Sequence, residues 1–196
     1  MSDIFEMLVD PEVTLGQADM TKKRVLALLH EHLLIAREPD MECAQGSLGY
    51  RPGPAVHEVY ELPENELPFW DHITCGVELR VGRDFNHWAY GPSCEGYSCP
   101  RCNQEFEPDN EDLADVLSEA IGQWIEQSGP ALVPCPSCQG LVPVTEWRCQ
   151  PPLGFGNFSL VFWNWPPLDS RSWRIDILDL IRQAMPHTLI RTHGHV

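Results

Sequence analysis

The sequence predicts an α+β protein in which helices pack on a mixed sheet and a pair of cysteine-containing turns encloses an amphipathic helix. Three observations predict this class: short segments with alternating apolar residues, segments with apolar residues at helical spacing, and the repeated tetrapeptides CPRC and CPSC. With 196 residues, of which 43% are hydrophobic, the chain is long enough to bury a core. No apolar run approaches the ~20 residues of a membrane-spanning helix, so we expect no membrane association.

The N-terminal part of the chain predicts a single helix. Residues 1–18 have no regular pattern and are expected to be irregular. Asp19 or Thr21 can cap a helix that runs to about Arg37, because both side chains can accept hydrogen bonds from free backbone N–H groups. Apolar residues recur at helical spacing within this helix. His32 falls on that apolar face, where we expect a core or rim position rather than a metal ligand.

Five further segments have the patterns of regular structure. Residues 56–62 and 73–82 predict strands, the second through a clear alternation of apolar and polar residues. The last third of the chain predicts a strand over 157–165, a helix over 172–185 and a strand over 188–196. This order is typical of a βαβ unit, whose crossover is right-handed when the two strands are parallel.

The middle of the chain contains the clearest helix pattern. Asp109 or Asn110 can cap this helix, acidic residues crowd its first turn, and Gly129 and Pro130 end it. Short strands are expected on both sides of the second tetrapeptide, at ALVP and LVPV. The apolar stripe of the helix comprises Leu113, Val116, Leu117, Ala120, Ile121, Trp124 and Ile125.

Four cysteines in two identical spacings predict a metal site. Cys99 and Cys102 form the first Cys-Pro-x-Cys pair, and Cys135 and Cys138 form the second. A turn of this spacing places two sulfurs on one side of an ion, and two such turns complete the tetrahedron that Zn²⁺ prefers. Gly140, which follows the second pair, allows a tight backbone there. We expect a structural zinc site, with iron as the alternative metal because four thiolates suit both.

The paired turns resemble the knuckles of zinc-ribbon and rubredoxin-like proteins over about residues 99–140. This resemblance implies a structural metal site with the four cysteines as ligands. Over the whole chain, the segments ECAQGSLGYRPGPAVHEVYEL, ITCGVELRVG and FWNWPPL resemble uncharacterised bacterial proteins labelled as sugar ABC transporter ATPases. That label implies ATP hydrolysis. The sequence has no Gly-Lys-Ser/Thr phosphate loop, so we do not expect this activity.

Other roles stay open for the cysteines. Cys-Pro-x-Cys also resembles the glutaredoxin active site, but that redox chemistry needs its first cysteine at a helix N-terminus. Neither copy leads directly into a predicted helix. Cys94 is close enough in sequence to Cys99 to compete with it as a ligand. Cys43, Cys75 and Cys149 are expected to be small buried thiols, and a Cys–His nucleophile pair formed in space stays an alternative.

Two further features allow a second site. His57, His72 and His87 lie near predicted strands and can supply metal ligands, and a histidine can also replace one cysteine at the main site. Trp163 and Trp165 are two residues apart and are predicted to share one strand face. They can pack in the core or form a stacking surface for a ligand.

The chain is strongly acidic, with a formal net charge of −16. Because phosphate backbones repel such a chain, we expect no nucleic acid partner. Residues 105–119 hold seven carboxylates and no basic residue, which indicates a solvated face or a docking surface for a basic protein. The N-terminus lacks the basic and apolar regions of a signal peptide, so we expect a cytoplasmic location. In that compartment thiols or metal ligands are expected rather than disulfides.

These observations favour a non-catalytic protein-interaction module with a structural zinc site and an acidic surface, as in an inhibitor or immunity protein. We expect one compact unit of three segments: 1–92, 93–150 with the cysteine turns, and 151–196. No nucleophile elbow or zinc-protease motif occurs, and no catalytic or cofactor-binding residue is assigned. The alternatives are an enzyme with dispersed catalytic residues and a thiol–disulfide redox protein that uses the Cys-Pro-x-Cys pairs. The oligomeric state is left open.

Overall fold

The computed structural model of the chain describes residues 3–86, 96–126, 130–149 and 152–196. The predicted α+β class is confirmed. None of the helices in these residues is both long and apolar enough to cross a membrane. The elements in chain order are β1 (Ile4–Val9), α1 (Leu15–Glu31), β2 (Asp40–Ala44), β3 (Ser47–Tyr50), α2 (Val56–Val59), β4 (Gly76–Asn86), β5 (Tyr97–Ser98), β6 (Glu105–Phe106), α3 (Glu111–Glu126), β7 (Leu132–Pro134), β8 (Leu141–Pro143), β9 (Arg148–Cys149), β10 (Gly154–Trp163), α4 (Ile177–Arg182) and β11 (Ile190–His195).

The main sheet has six strands in the order β11-β1-β10-β4-β3-β2. Neighbouring strands in it pair antiparallel. Both β10 and β11 run antiparallel to β1, so they run in the same direction as each other. The predicted strand–helix–strand order at the C-terminus is therefore present as β10, α4 and β11, but β1 lies between its two strands.

Helices cover one face of this sheet. Alternate residues of the central strands, such as Leu8, Leu79 and Phe158, are buried there together with Val25 of α1 and Ile181 of α4. The opposite face has a smaller buried cluster that includes Met7, Val161 and Trp163. Strand β10 is thus apolar on both faces, as expected for a strand with a core on each side.

The predictions for the first 37 residues are wrong in four respects. Residues expected to be irregular form β1. Helix α1 starts earlier than predicted, because Thr14 caps it and forms a reciprocal capping box with Gln17. The helix also ends earlier, since Leu33 has a φ of 53° and leaves the helical conformation. His32 is the exposed C-cap residue instead of a core or rim residue.

The predicted strand at 56–62 is also wrong, because the chain forms the short helix α2 there. The N–H of Val59 donates to the carbonyl oxygen of Ala55 at 3.0 Å, which closes a helical turn. The turn delivers Tyr60 into an aromatic cluster, where its ring centroid lies 5.2 Å from that of Phe69 and 4.7 Å from that of Trp173. Packing against these distant rings outweighs the local preference for a strand.

Trp163 and Trp165 lie on opposite sides of the main sheet, so the prediction that they share a face is wrong. The strand ends at Trp163 because Asn164 has a φ of 55°. The Asn164 side chain donates to the Asp3 carboxylate at 2.7 Å and to the Thr74 hydroxyl at 2.9 Å, which holds this conformation. Trp165 then enters the helix-covered core, while Trp163 packs on the other face.

A separate buried cluster organises the cysteine-rich part of the chain. It contains side chains of α3, β7 and β8 together with Trp147 and Phe155. The Trp124 ring of α3 lies 5.1 Å from the Phe155 ring of β10, and Arg83 of β4 donates to the Trp124 carbonyl oxygen at 2.7 Å. The ends of β4 and β10 therefore anchor α3 to the main sheet. The predicted segment boundaries near residues 92 and 150 lie outside the described residues.

Candidate metal centre

The structure brings the four predicted cysteines together. The sulfur atoms of Cys99, Cys102, Cys135 and Cys138 all lie within 4.8 Å of one another. The Cys102 and Cys135 sulfurs are 3.8 Å apart. A tetrahedron with metal–sulfur bonds of about 2.3 Å has sulfur–sulfur edges of about 3.8 Å, so this separation suits a zinc-sized ion. The donor set can therefore bind one metal ion at its centre.

The first cysteine pair lies at the tip of the hairpin formed by β5 and β6. Tyr97 pairs with Phe106 across this hairpin. The Cys99 N–H donates to the Gln104 carbonyl oxygen at 3.0 Å, and the Asn103 N–H donates to the Cys99 carbonyl oxygen at 2.9 Å. These two bonds fold the intervening residues into a tight turn that points both sulfurs the same way.

The second pair repeats this geometry at the tip of the β7–β8 hairpin. The Cys135 N–H donates to the Gly140 carbonyl oxygen at 3.0 Å, and the Gln139 N–H donates to the Cys135 carbonyl oxygen at 2.9 Å. Each bond has its equivalent in the first turn. Two separate stretches of sequence thus form matching turns, one on each side of the sulfur cluster. We call residues 97–106 the first knuckle and residues 132–143 the second knuckle.

A left-handed residue closes each knuckle at the same position. Asn103 has a φ of 56° and Gln139 a φ of 59°. The tight backbone of the second knuckle therefore depends on Gln139 and not on Gly140, which corrects the prediction for that glycine. Gly140 matters for another reason: a Cβ there would lie 2.8 Å from the guanidinium carbon of Arg101. The missing side chain lets Arg101 of the first knuckle pack against the second.

Two thiols of the cluster have pKa values that are shifted in opposite directions. Burial raises the pKa of Cys99, but hydrogen bonds to its sulfur from the backbone N–H groups of Cys102 and Arg101 and from neighbouring thiols outweigh burial and lower the pKa from 9.0 to about 7. The Gln104 N–H favours the Cys102 thiolate, yet partial desolvation and hydrogen bonds with the other three thiols outweigh it and raise the pKa of Cys102 to about 11. The Cys99 sulfur is thus prepared to ionise, while the Cys102 thiol holds a proton that a cation can displace.

The sulfur cluster has a buried side and an exposed side. Cys99 and Cys135 are fully buried in the same cluster as Leu113 and Leu117 of α3, whereas Cys102 is exposed, as is Cys138. The first cysteine of each pair therefore joins the hydrophobic core, and the second faces solvent. A bound ion would connect the two knuckles across the N-terminal half of α3.

The surroundings of the cysteines favour metal binding over redox chemistry. All four are free thiols. The first knuckle continues into β6 and the second into β8, so neither pair stands at a helix N-terminus. A helix N-terminus is one feature that lowers the thiol pKa in Cys-x-x-Cys redox proteins, and here backbone N–H groups lower the pKa of Cys99 without it. The arrangement at the tips of two hairpins, in contrast, is well suited to hold a tetrahedral ion from two sides.

The other cysteines differ in their states. Cys43 and Cys75 are buried free thiols, as predicted. Burial raises the pKa of both, to about 11 for Cys43. Cys149 is disulfide-bonded, which contradicts the expectation of a buried thiol. Cys94, the predicted competitor for the metal, lies outside the described residues.

The described histidines do not join the cysteines or form a second cluster of ligands. The His57 ring packs on Trp70 with centroids 4.4 Å apart. His72 places its Nδ1 atom 3.0 Å from the Thr74 hydroxyl oxygen. His87 lies outside the described residues. In the part of the chain that the structure describes, the four cysteines are the one group of three or more potential ligands.

Arg101 is the residue of this centre that sequence reasoning missed. It stands inside the first Cys-Pro-x-Cys, where its backbone N–H supports the Cys99 thiolate and its side chain packs on Gly140. The signal that could have identified it is its position as the one basic residue between two ligands of an otherwise acidic region.

No family model, curated protein or solved structure matches the chain. The likeness to zinc ribbons and rubredoxins therefore depends on the four cysteines and their geometry. The likeness to transporter ATPases has no match to support it.

Proposed function

We propose that the protein is a non-catalytic interaction module, in which a structural zinc ion holds the two knuckles and an acidic surface binds a basic protein partner. The convergence of four sulfur atoms from two hairpin tips carries this proposal. Such a molecule would act as an inhibitor or immunity protein that masks its basic partner.

Four thiolates make a closed metal site. A tetrahedral ion with four protein ligands has no position for water or substrate, so the metal would stabilise structure instead of catalysing a reaction. Zinc suits this role because it has no redox chemistry of its own. Iron is the alternative metal for the same ligands, and it would give the protein a visible colour and a redox potential.

The location of the ligands supports a structural role. The two knuckles are separated in sequence by α3, and Cys99 and Cys135 are buried against that helix. Because the unfolded chain does not hold the four sulfurs together, the free energy of metal binding adds to the free energy of folding of this region. Each knuckle is a hairpin of two or three residues per strand, which is marginal without such a link.

The charge of the knuckle region supports a basic partner. Helix α3 has five carboxylates and no Lys or Arg: Glu111, Asp112, Asp115, Glu119 and Glu126. The described residues between 96 and 149 contain nine acidic residues and two arginines. Zinc bound to four thiolates leaves two further negative charges. Such a field attracts basic proteins and speeds their association at low ionic strength.

Metal analysis of the native protein tests the first half of the proposal. We expect one zinc per chain after purification without added metal. One iron per chain would show that the structural metal is iron instead of zinc. Metal-free protein with a Cys99–Cys102 disulfide would overturn the proposal in favour of a thiol–disulfide redox protein.

Affinity capture at low and moderate salt tests the second half. We expect a basic partner whose binding weakens as salt rises. A variant with Asp112→Asn, Asp115→Asn and Glu119→Gln should lose much of this binding. The matched control carries the same charge change at a distant exposed segment, Glu64→Gln, Glu66→Gln and Asp71→Asn, and should bind as the wild type does. A partner that is acidic, or bound equally at both salt concentrations, would count against the acidic surface.

A further inference from the structure

An apolar groove lies beside the acidic helix. Asp112, Leu113 and Val116 of α3 form one wall, and Pro134 and Pro136 of the second knuckle contribute to the other. The groove has a volume of about 200 Å³ and is open to solvent. This is about the size of one large apolar side chain.

The outer face of the second knuckle adjoins the groove at Pro134. Pro134 pairs with Leu141, so both side chains project from the same face of this antiparallel hairpin. Leu132 is two residues before Pro134 and shares that face. Leu132 is 47% exposed and Leu141 is 58% exposed, whereas Val133 and Val142 on the opposite face are buried against α3. We call the surface formed by Val116, Leu132, Pro134, Pro136 and Leu141 the knuckle groove.

Carboxylates border the knuckle groove on its α3 side. Val116 is 38% exposed. Asp112 precedes it by one helical turn, Asp115 is adjacent to it, and Glu119 follows it by nearly one turn, all exposed. An apolar strip therefore has a row of negative charge along one edge. An exposed apolar strip rimmed by charged residues is typical of a protein-interaction site.

We propose that the knuckle groove binds a basic amphipathic helix of a partner protein. This inference rests on the proposed function and names the partner of the same region. A helix with apolar anchors at i, i+3, i+4 and i+7 can place one anchor between α3 and the second knuckle and the others against the exposed leucines beside it. Its Lys or Arg residues, on the flanks of that apolar face, then meet Asp112, Asp115 and Glu119. A second copy of this chain fits less well, because it carries the same net charge of −16.

Binding at the knuckle groove would depend on the metal. Pro134 and Pro136 are the immediate neighbours of Cys135, so the wall they form is positioned by a metal ligand. Loss of the ion would free the second knuckle from the first and change the distance between the two walls. The partner helix and the metal would therefore stabilise each other, because both bind the same folded arrangement.

A designed peptide tests the groove. The probe is a helical peptide of about 18 residues made of Leu and Lys, with Leu at the four anchor spacings. The control peptide has the same composition in scrambled order. Binding to the full-length, metal-loaded protein is measured by fluorescence anisotropy. We expect the amphipathic peptide to bind at least about tenfold more tightly than the scrambled one, and a chelator to remove this difference.

Variants of the protein locate the binding surface. The double variant Val116→Ser and Leu141→Ser should weaken binding of the amphipathic peptide about tenfold or more, since both side chains are anchor contacts. Leu67→Ser is the matched control, because Leu67 is 89% exposed and lies in another part of the chain. Val116 and Leu141 are both exposed, so serine at these positions should not disturb the core, and an unchanged melting curve of the double variant verifies this.

Each outcome decides the inference. Equal binding of the two peptides, or unchanged binding to the double variant, would overturn it. Concentration-dependent dimerisation that the double variant abolishes would show that a second copy is the occupant. A captured basic partner that binds the double variant normally would leave the proposed function intact and exclude the groove. Peptide binding at the groove in a protein that carries no metal would refute both the metal dependence of the groove and the zinc part of the proposed function.

Discussion

Removal of one sulfur ligand should destabilise the protein far more than removal of an equally buried thiol elsewhere. Cys135 is a member of the sulfur cluster, and Cys75 is a free thiol in the main core; both are fully buried. Cys135→Ala and Cys75→Ala each delete the same single atom. The comparison therefore separates metal binding from packing.

The expected magnitudes differ clearly. Deleting one buried heavy atom costs on the order of 1 kcal/mol through lost contacts and a small cavity. Zinc binding contributes about 10–16 kcal/mol to small domains with four ligands, so the loss of one ligand should cost on the order of 3 kcal/mol more. For a chain of this size, each kcal/mol shifts the midpoint of thermal unfolding by about 2–4 °C. Cys135→Ala should thus melt roughly 10 °C below Cys75→Ala.

The knuckle region has its own buried cluster, which determines how the loss should appear. We expect an early transition of this region in Cys135→Ala, followed by unfolding of the main sheet. Hydrogen exchange resolves the two, because amides of α3 would lose protection before those of β10. A chelator should lower the melting temperature of the wild type at least as far as Cys135→Ala does, and it should leave the stability difference between Cys75→Ala and the wild type unchanged. Retention of one zinc per chain by Cys135→Ala, with an unaltered melting curve, would refute this reasoning.

Three further predictions concern other parts of the chain. Gly122→Ala in α3 has nothing within 4 Å of the added Cβ and should raise the free energy of unfolding by about 0.5–1 kcal/mol. Gly53→Ala places its Cβ 2.8 Å from backbone atoms and should lower the free energy of unfolding, and chemical denaturation measures both variants. Burial raises the pKa of Asp3, but hydrogen bonds from three side chains outweigh burial and hold the pKa below 3.8. The ionised Asp3 carboxylate therefore stabilises the fold above about pH 4, and this stabilisation is lost as the pH falls further. Asp3→Asn should accordingly flatten the acid limb of the curve of unfolding free energy against pH, measured in the same metal state. Cys43 and Cys75 should resist alkylation at pH 8 in the folded protein, because burial raises both pKa values, and rapid labelling seen by mass spectrometry would contradict this.

The features predicted correctly from the sequence are those with local causes. The sulfur cluster follows from the spacing of two cysteine pairs, and alternation over 73–82 predicts β4 but places its two ends three to four residues too early. Helix α3 follows from its apolar stripe and from Asn110, whose side chain accepts a hydrogen bond from the Leu113 N–H at 3.1 Å. Within the stripe, Val116 and Ile125 are nevertheless exposed, since the knuckles cover only part of the helix. Periodicity predicts which side of a helix is apolar but not how much of it is covered.

The features missed are those with distant causes. Strand β1 contains Glu6, which breaks the apolar pattern but is buried beside Arg191 of β11 and accepts a hydrogen bond from the Leu168 N–H at 3.0 Å. Its partners are at the other end of the chain, so no local signal predicts that a carboxylate is acceptable there. The turn at Asn164 likewise depends on Asp3, which is distant in sequence. The capping box of α1 is the exception among the missed features, because its signal is local: Thr14 and Gln17 have the required spacing.

The position of β1 between β10 and β11 affects how the protein is made. During synthesis β1 emerges well before both of its neighbours in the sheet, because β10 and β11 lie much later in the chain. The segment IFEMLV must therefore remain unpaired while the residues between β1 and β10 are produced. An extended apolar segment in that state is available to other chains. Assembly of the central sheet should accordingly be a late and slow event, and incomplete chains should depend on chaperones more than the native protein does.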